Sequence, residues 1–494
     1  MTRPMQKQGG KQSENREHVS IAAASLSAEG VTSASALPAA VLPITGGLRS
    51  MIKGIEYLRR KLKEKRNRGL IRYRYYDMKH WAPTVDPTMP RDLQNCLNVM
   101  GWCGNAVDQM ADRLVFREFR GDDFGINEFF TANNSDIFFD SAVLGALITA
   151  CDFAYVYEKA SGMPGLRVID GTNATGVMDL NTMLLTEGYA ILEVDQETNL
   201  PTLEAYFLPE QTDYYVRGQF DHTEKNPAGV PLLVPIVNRP DAKREFGHSR
   251  ISRACMGYMN SALQAIRKSE VAAYFYSYPQ RYALGFDAPE NFDRWKASMT
   301  AIFTIGRDEN DNLPQVGQFP QQSMAPYMDH LKMFAALFAG ETGLTMDDLG
   351  FVQANPTSDD AIQSSHEALR LKARKSQRGL GACFKNVGYT AACLRDRVHY
   401  DRSAFAALTP IWEPIFEPTM GRIGALGDAA FKINEAIPGY VDTNTIYDLT
   451  GIRPAEGVTN GTGNGGSAGA GALGSYFNRV SEQDDGGQET GPTE

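Results

Sequence analysis

The chain has 494 residues, of which 43% are hydrophobic and 22% are charged, and this composition excludes a fibrous or wholly disordered protein. Its 49 Lys and Arg residues stand against 59 Asp and Glu residues, giving a formal net charge of −10. A protein that coats nucleic acid over its whole surface is therefore excluded, because such binding depends on neutralising phosphates. The six cysteines form no CxxC pair and have no zinc-like spacing with histidines, so we expect a reducing compartment, no metal site and no disulfide framework.

Targeting and membrane segments are also not expected. No run approaches the roughly 18 apolar residues that a membrane span needs. Residues 21–44 are rich in small apolar side chains, but Glu29, Pro38 and Pro43 interrupt them, which argues against a secretory signal. We therefore expect a soluble intracellular product.

The amino-terminal part of the chain divides into an arm and a basic segment. Residues 1–48 contain few large apolar side chains, which predicts a disordered arm. From Arg49 to Lys79 there are twelve Lys or Arg residues against three acidic ones, with apolar residues at helical spacing. This segment either binds an anionic partner or forms the solvated basic face of an amphipathic helix.

A mixed domain follows. Apolar stripes at helical spacing run between Leu93 and Phe153, and short strand-like runs separated by Gly, Pro and Asn occupy Tyr155 to Tyr215. This alternation predicts an α+β domain that ends near Pro240.

The second half of the chain is mainly helical in pattern. A long helix is predicted from Arg250 to Tyr276, with Ser249 as its amino-terminal cap, followed by a small insert and a second helix over about 325–340. An uncharged loop then leads to a very long helical pattern that starts near Thr357 and reaches about Val398. Two glycines at 379 and 381 predict a kink in it, and the glycine-rich, acidic tail predicts disorder.

Catalytic motifs are incomplete throughout. The P-loop pattern is absent, and His366-Glu367 would need a second metal ligand where Arg370 stands. Asp359 and Asp360 are either an acid/base pair or first-turn acids that the helix dipole favours. We expect no catalytic residue, no metal and no cofactor.

Several short motifs occur in a characteristic order. Val234-Pro-Ile-Val-Asn-Arg-Pro and Phe246-Gly-His-Ser-Arg-Ile precede the first long helix, and Pro279-Gln-Arg-Tyr-Ala-Leu-Gly follows it. Gly340-Glu-Thr-Gly-Leu-Thr-Met-Asp-Asp-Leu-Gly, Asn355-Pro-Thr-Ser-Asp-Asp-Ala-Ile, the Glu367–Arg378 helix and Trp412-Glu-Pro with Asp428-Ala-Ala-Phe-Lys-Ile complete the set. Over roughly residues 70–455 the chain resembles the portal proteins of tailed bacteriophages, in particular those of long-tailed phages.

The resemblance implies an α+β portal architecture assembled as a ring. It implies a wing at 49–245, a first stem helix at 249–278, a small α/β clip at 279–323 and a second stem helix at 324–346. A tunnel loop at 347–358 precedes the long helix, wing return and helical crown at 359–455, and disordered ends span 1–48 and 456–494.

The resemblance also implies a function and partners. Such portals form a ring, usually of twelve subunits, at one capsid vertex, through which double-stranded DNA is packaged and ejected. The expected partners are the terminase large subunit, which supplies the ATPase, the major capsid or scaffolding protein, and a head-completion (neck) protein. We expect the protein in the virion, and in the host cytoplasm during assembly.

Two candidate sites follow from the resemblance. The part of the tunnel loop from Phe351 to Thr357 carries no charge, directly after Asp347 and Asp348. Ring symmetry would turn one cation into a belt that holds DNA, so an uncharged segment favours sliding. The expected loop residues are Gly350, Phe351, Val352, Gln353, Ala354, Asn355, Pro356, Thr357 and Ser358, and the expected partner-binding residues of the clip are Arg307, Asp308, Glu309 and Asn310.

Two alternatives remain open at this stage. One is a Mg²⁺-dependent nucleic-acid-processing enzyme that uses Asp347, Asp348, Asp359 and Asp360. The other is a monomeric DNA-binding adaptor that uses the basic segment 49–79.

Overall fold

Antiparallel strands dominate the first half of the chain, and long helices dominate the second. The computed structural model describes residues 52–80, 98–160, 162–277, 281–284, 315–318, 323–351, 364–416 and 418–452. None of the described helices is both long and apolar enough to cross a membrane. The predicted mixture of helix and sheet is confirmed.

The strands form small sheets, and every strand pair is antiparallel. A three-stranded sheet has the order β3-β2-β9, a five-stranded sheet has the order β4-β5-β6-β7-β8, and β1 pairs with β12 as β10 does with β11. The strands are β1 Phe116–Arg120, β2 Cys151–Tyr157, β3 Gly165–Ile169, β4 Ala174–Met178, β5 Leu185–Val194, β6 Pro201–Phe207, β7 Gln211–Val216, β8 Gln219–Lys225, β9 Leu233–Val237, β10 Arg281–Leu284, β11 Gln315–Gln318 and β12 Thr409–Trp412.

Helices pack around these sheets and connect them. They are α1 Ile55–Tyr76, α2 Trp102–Ala111, α3 Ile126–Thr131, α4 Ser135–Thr149, α5 Arg253–Ser277, α6 Ala325–Thr342, α7 Glu367–Asp396, α8 Met420–Ala436 and α9 Thr443–Thr450, with 3₁₀ turns at Asp347–Leu349 and Arg402–Phe405.

An aromatic cluster joins the two ends of the described chain. The ring of Phe116 lies 4.4 Å from that of Phe139, 5.4 Å from Phe384 and 5.3 Å from Trp412, between ring centroids. Phe116 and Phe139 come from β1 and α4, whereas Phe384 and Trp412 come from α7 and β12, more than 200 positions later. Since edge-on and tilted aromatic pairs are favourable beyond their buried area, the cluster stabilises the return of the carboxyl-terminal part onto the mixed domain.

The long helices largely follow the predicted ranges. The helix α5 lies within the range expected for the first stem helix and α6 within that of the second, while their assignment to a stem stays a prediction. The helix α7 is continuous over its 30 residues. Gly381 allows it to approach β12, because a Cβ there would lie 2.7 Å from Cγ of Pro410.

The predicted cap of α5 is wrong. The hydroxyl of Ser252 accepts a hydrogen bond from the amide of Cys255 at 3.2 Å, which is the cap geometry. The hydroxyl of Ser249 instead donates to the carbonyl of Ile148 at 2.6 Å. Ser249 therefore joins the loop before α5 to the end of α4.

Candidate functional site

The described residues include the first part of the predicted tunnel loop, up to Phe351, and resume at residue 364, beyond its predicted end. The helix α6 ends at Gly343, whose φ of 78° closes the helix in the left-handed conformation. After the 3₁₀ turn at Asp347–Leu349, Gly350 takes a φ of 87°. Such values favour glycine, so Gly350 lets the chain leave the turn toward the loop.

Asp348 organises the first end of the loop. Its Oδ2 atom accepts a hydrogen bond from the amide of Thr345 at 2.8 Å, and its own amide donates to the Thr345 hydroxyl at 3.2 Å. Its carbonyl accepts from the Nδ2 atom of Asn105 in α2 at 2.6 Å. The turn is therefore tied to the mixed domain.

The same carboxylate contacts the residue before α7, which lies beyond the predicted end of the loop. Oδ2 of Asp348 lies 3.6 Å from Nδ1 of His366, the residue before α7, and the two side chains are only 14% and 15% exposed. This contact is an ion pair when the imidazole is protonated. It brings together the ends of a segment whose intervening residues 352–363 lie outside the described part of the chain.

Phe351 anchors the start of the loop. Its amide donates to the carbonyl of Met346 at 3.0 Å, and its ring lies edge-on to that of Trp102, with centroids 6.4 Å apart. Trp102 also packs against Phe338 of α6 at 5.5 Å. Sequence reasoning missed Trp102 and Asn105, because a contact across more than 200 residues leaves no local signal.

Most of the predicted site residues lie outside the part of the chain that the structure describes. Of the tunnel loop, Gly350 and Phe351 are described, and Val352 to Ser358 lie outside the described residues. Arg307 to Asn310 of the predicted clip also lie outside them. The clip contributes one described feature, the pairing of β10 with β11, in which Arg281 is opposite Gln318.

Residues proposed for a metal site have other contacts where they are described. The carboxylate of Asp348 contacts the amide of Thr345 and the imidazole of His366. Glu367 forms an ion pair with Arg370 at 2.6 Å. Within the described ranges, no group of three or more His, Cys, Asp or Glu side chains could hold a metal ion. Asp359 and Asp360 lie outside those ranges.

The basic segment forms α1, which packs against the five-stranded sheet. Leu58 and Leu62 are buried against Tyr189, Ile191 and Tyr206. Between these apolar contacts, several cationic side chains point toward the sheet rather than into solvent. The interpretation of this segment as a solvated basic face therefore holds for only part of its cations.

Arg59 shows this inward orientation best. Its guanidinium lies 2.7 Å from Oε2 of Glu204, whose side chain is 7% exposed. Burial opposes the charge of Arg59, but the bonds to Glu204 and Glu56 outweigh it and raise the pKa of the guanidinium. The Nζ atom of Lys61 donates to the carbonyl of Gly176 at 2.8 Å.

Lys65 enters a buried polar cluster under α1. Its ammonium lies over the rings of Phe153 and Phe246, at 5.4 and 4.9 Å from their centroids, and desolvation lowers its pKa. Nearby, Asp152 accepts hydrogen bonds from the Thr149 hydroxyl at 3.0 Å and from the amide of Gly171 at 2.9 Å. Burial, and then the charge of Asp170, raise the pKa of Asp152 to about 8.

Other cations of α1 do face solvent. The side chains of Arg60, Lys63, Arg68 and Arg74 are exposed. The segment thus serves two purposes: an inward set of cations fastens the helix to the sheet, and an outward set is available to an anionic surface.

The carboxyl-terminal helices leave large apolar side chains uncovered. Met420 is 82% exposed, and Phe431 and Tyr440 are each 69% exposed. These large apolar side chains are therefore open to contact by another protein.

Comparisons with known proteins find relatives for this chain, although no family model matches it. The chain is 22% identical over 340 residues to the portal protein of Mycobacterium phage L5, covering 63% of this chain and 68% of the relative. It is 24% identical over the same length, with the same coverage, to the portal protein of Mycobacterium phage D29. These two relatives confirm the predicted resemblance.

Two solved structures are also similar to this chain. One is a chain from the virion of a native gene transfer agent particle, with a TM-score of 0.38, 12% identity, and 72% of this chain and 90% of that chain covered. The other comes from the neck of the native particle computed with C12 symmetry, with a TM-score of 0.40, 14% identity, and 76% and 97% covered. A TM-score below 0.5 does not establish a common fold.

Proposed function

We propose that this relative of phage portal proteins is a structural, non-enzymatic subunit of a portal ring, the head–tail connector at one vertex of the capsid. Double-stranded DNA would be packaged and ejected through the bore of the ring. The observation that carries the proposal is the similarity over 340 residues to two mycobacteriophage portal proteins.

The exposed apolar residues of α8 support an assembly of subunits. Met420 is 82% exposed and Phe431 is 69% exposed, and a neighbouring subunit would cover them. In a closed ring each such contact joins two different surfaces and is repeated around the axis. A ring of twelve subunits is the form that we propose.

The mass of the native protein tests the ring. We expect a single species at many times the chain mass of 54.4 kDa, and electron microscopy of it should show a ring with a central bore. A protein that stays monomeric at every concentration and salt would contradict the proposal, and would favour the adaptor alternative.

The tunnel loop provides a test of DNA passage. We propose that Gly350 to Ser358 line the narrowest part of the bore. Gln353→Lys and Asn355→Lys should then add cationic belts that slow packaging, and the defect should weaken as rising salt screens the phosphates. The matched control is Asn355→Gln, which adds no charge and should package at the wild-type rate.

The loop variants should still assemble. If rings are lost rather than speed, or if both lysine variants package at the wild-type rate in low salt, the loop is not the constriction that faces DNA. Packaging velocity and ring assembly are therefore measured on the same preparations.

We propose that partner proteins dock on the clip. Reversing the charges of Arg307, Asp308 and Glu309 should impair contact with the terminase large subunit, and later with the neck protein. Binding of each partner to assembled rings is the measurement. Unchanged binding of both partners would remove the clip from the docking site.

A further inference from the structure

An open groove lies between the exposed side of α7 and the strand β12. It has a volume of about 510 Å³ and is lined by Leu371, Arg374, Gln377, Arg378, Pro410 and Trp412. The side chain of Leu371 is 55% exposed there. The groove thus offers an apolar floor and two guanidinium groups.

The two arginines of the groove have no ion-pair partner among the described residues. Glu367, on the same helix, binds Arg370 at 2.6 Å, although the charge of Arg374 also helps to lower the pKa of this carboxyl. Glu413, next to Trp412, binds Arg117 at 2.6 Å. No carboxylate lines the groove. An occupant that combines apolar side chains with negative charge would therefore match it.

The described chain ends close to this groove. Arg117 of β1 donates to the carbonyl of Gly451 at 3.0 Å and, through Nε, to Glu413 at 2.6 Å. Glu413 follows Trp412 directly in the chain, and its carbonyl accepts from Gln377 at 3.5 Å. Gly451, near the end of the described chain, and Glu413, which adjoins the groove residue Trp412, therefore contact the same side chain, that of Arg117.

The segment that follows has the matching chemistry. The chain advances 24 residues from Ile452 to Tyr476, a length that can span at most about 80 Å. Tyr476 and Phe477 are adjacent aromatic residues, and Glu482, Asp484 and Asp485 follow them within ten positions. This segment lies outside the described residues. It has three acidic residues against one basic residue, Arg479, so its aromatic pair and its net negative charge fit an apolar groove bordered by arginines.

We propose that residues 476–485 of the same chain occupy this groove. The aromatic pair packs on Leu371, Pro410 and Trp412, and the acidic residues bind Arg374 and Arg378. The tail then covers two cations that would otherwise be open to DNA phosphates or to a neighbouring subunit. The proposal does not depend on the portal function, since the groove and the tail are both present in one chain.

Photo-crosslinking of the full-length protein tests the contact. Phe477 is replaced by p-benzoylphenylalanine, and crosslinked peptides are identified by mass spectrometry after irradiation. We expect crosslinks to peptides that contain Leu371 or Trp412. Equal amounts of ¹⁵N-labelled and unlabelled chains are mixed before assembly. If each tail binds its own chain, the two peptides of every crosslink carry the same isotope.

Charge variants give the matched comparison. Arg374→Glu should reduce the crosslink yield at least about fivefold, a change equal to about 1 kcal/mol of binding. Lys375→Glu makes the same charge change at the next, exposed position, which does not line the groove, and should keep the wild-type yield. Asp484→Lys with Asp485→Lys should restore part of the yield in the Arg374→Glu protein.

Three outcomes would overturn the proposal. They are crosslinks to another surface, crosslinks of mixed label, which would assign the groove to the tail of a neighbouring subunit, and equal losses with Arg374→Glu and Lys375→Glu. Circular dichroism of each variant establishes that the fold is kept. The ring assay is separate, so a failed tail contact leaves the proposed function standing.

Discussion

The Nδ1 atom of His366 lies 3.6 Å from Oδ2 of Asp348, and this contact links the turn at the start of the proposed tunnel loop to the residue that precedes α7. Asp348 is itself fixed by Thr345 and Asn105. The described residues on either side of 352–363 are therefore held by one group of contacts.

A double-mutant cycle of Asp348→Ala and His366→Ala should reveal this link. Because both side chains are mostly buried, we expect a coupling of about 0.5–1.5 kcal/mol in the free energy of unfolding. The cycle removes the separate effect of losing the Thr345 cap. Strictly additive single changes, measured by urea unfolding, would mean that the two groups do not stabilise each other.

The inward set of α1 cations should matter for stability, and the outward set should not. Arg59→Ala leaves the buried carboxylate of Glu204 without its cation, and we expect a loss of about 3 kcal/mol. Arg60→Ala, at the next and exposed position, should cost less than about 0.5 kcal/mol. Similar losses for the two variants would contradict the packing role of the helix.

The buried carboxyl of Asp152 should make stability fall as pH rises. Its pKa in the folded protein is raised to about 8 from the ordinary value of 3.8, so between these two pH values the folded chain holds a proton that the unfolded chain has lost. Unfolding free energy should therefore decrease by up to about 1.4 kcal/mol per pH unit from this group. Asp152→Asn keeps the size of the group and should remove this contribution.

The test compares wild type and Asp152→Asn between pH 5 and pH 7, where other groups contribute equally to both proteins. The advantage of the asparagine variant should grow with pH. Parallel stability curves would show that Asp152 is already ionised in the folded protein.

Replacing two helical glycines by alanine should change the stability of the protein in opposite directions. At Gly145 in α4 a Cβ would lie 1.7 Å from Oδ2 of Asp152, whereas at Gly424 in α8 nothing lies within 4 Å. Gly145→Ala should destabilise the protein by more than about 2 kcal/mol through overpacking. Gly424→Ala should stabilise it by about 0.5–1 kcal/mol through helix propensity. Thermal unfolding of the two variants checks both signs.

Local patterns in the sequence account for the helices well. The apolar periodicity of Ile251, Cys255, Met259 and Leu263 predicted α5, and all four side chains are buried. Periodicity reports which face of a helix is apolar, so it finds the element and its buried side. It does not distinguish two neighbouring serines as caps, because both Ser249 and Ser252 precede the helix and only the path of the chain selects one.

Local patterns did not predict which charged side chains are buried and which are exposed. Lys63 and Lys65 are two positions apart in one basic run, yet the first is exposed and the ammonium of the second lies among Asp152, Phe153 and Phe246. Composition counts both as solvated cations. Whether a cation faces water depends on the residues that pack against its helix, and those around Lys65 lie more than 80 positions away in the chain.

The sequence alone determined the mixture of helix and sheet, the approximate helix ranges and the resemblance to phage portal proteins, because each rests on residue order and local spacing. Tertiary structure alone decided that Trp102 and Asn105 hold the base of the loop, that Asp348 meets His366, and that Arg374 and Arg378 border a groove beside Trp412. Such contacts depend on how distant elements pack, and packing is specified by the whole buried surface rather than by any short segment.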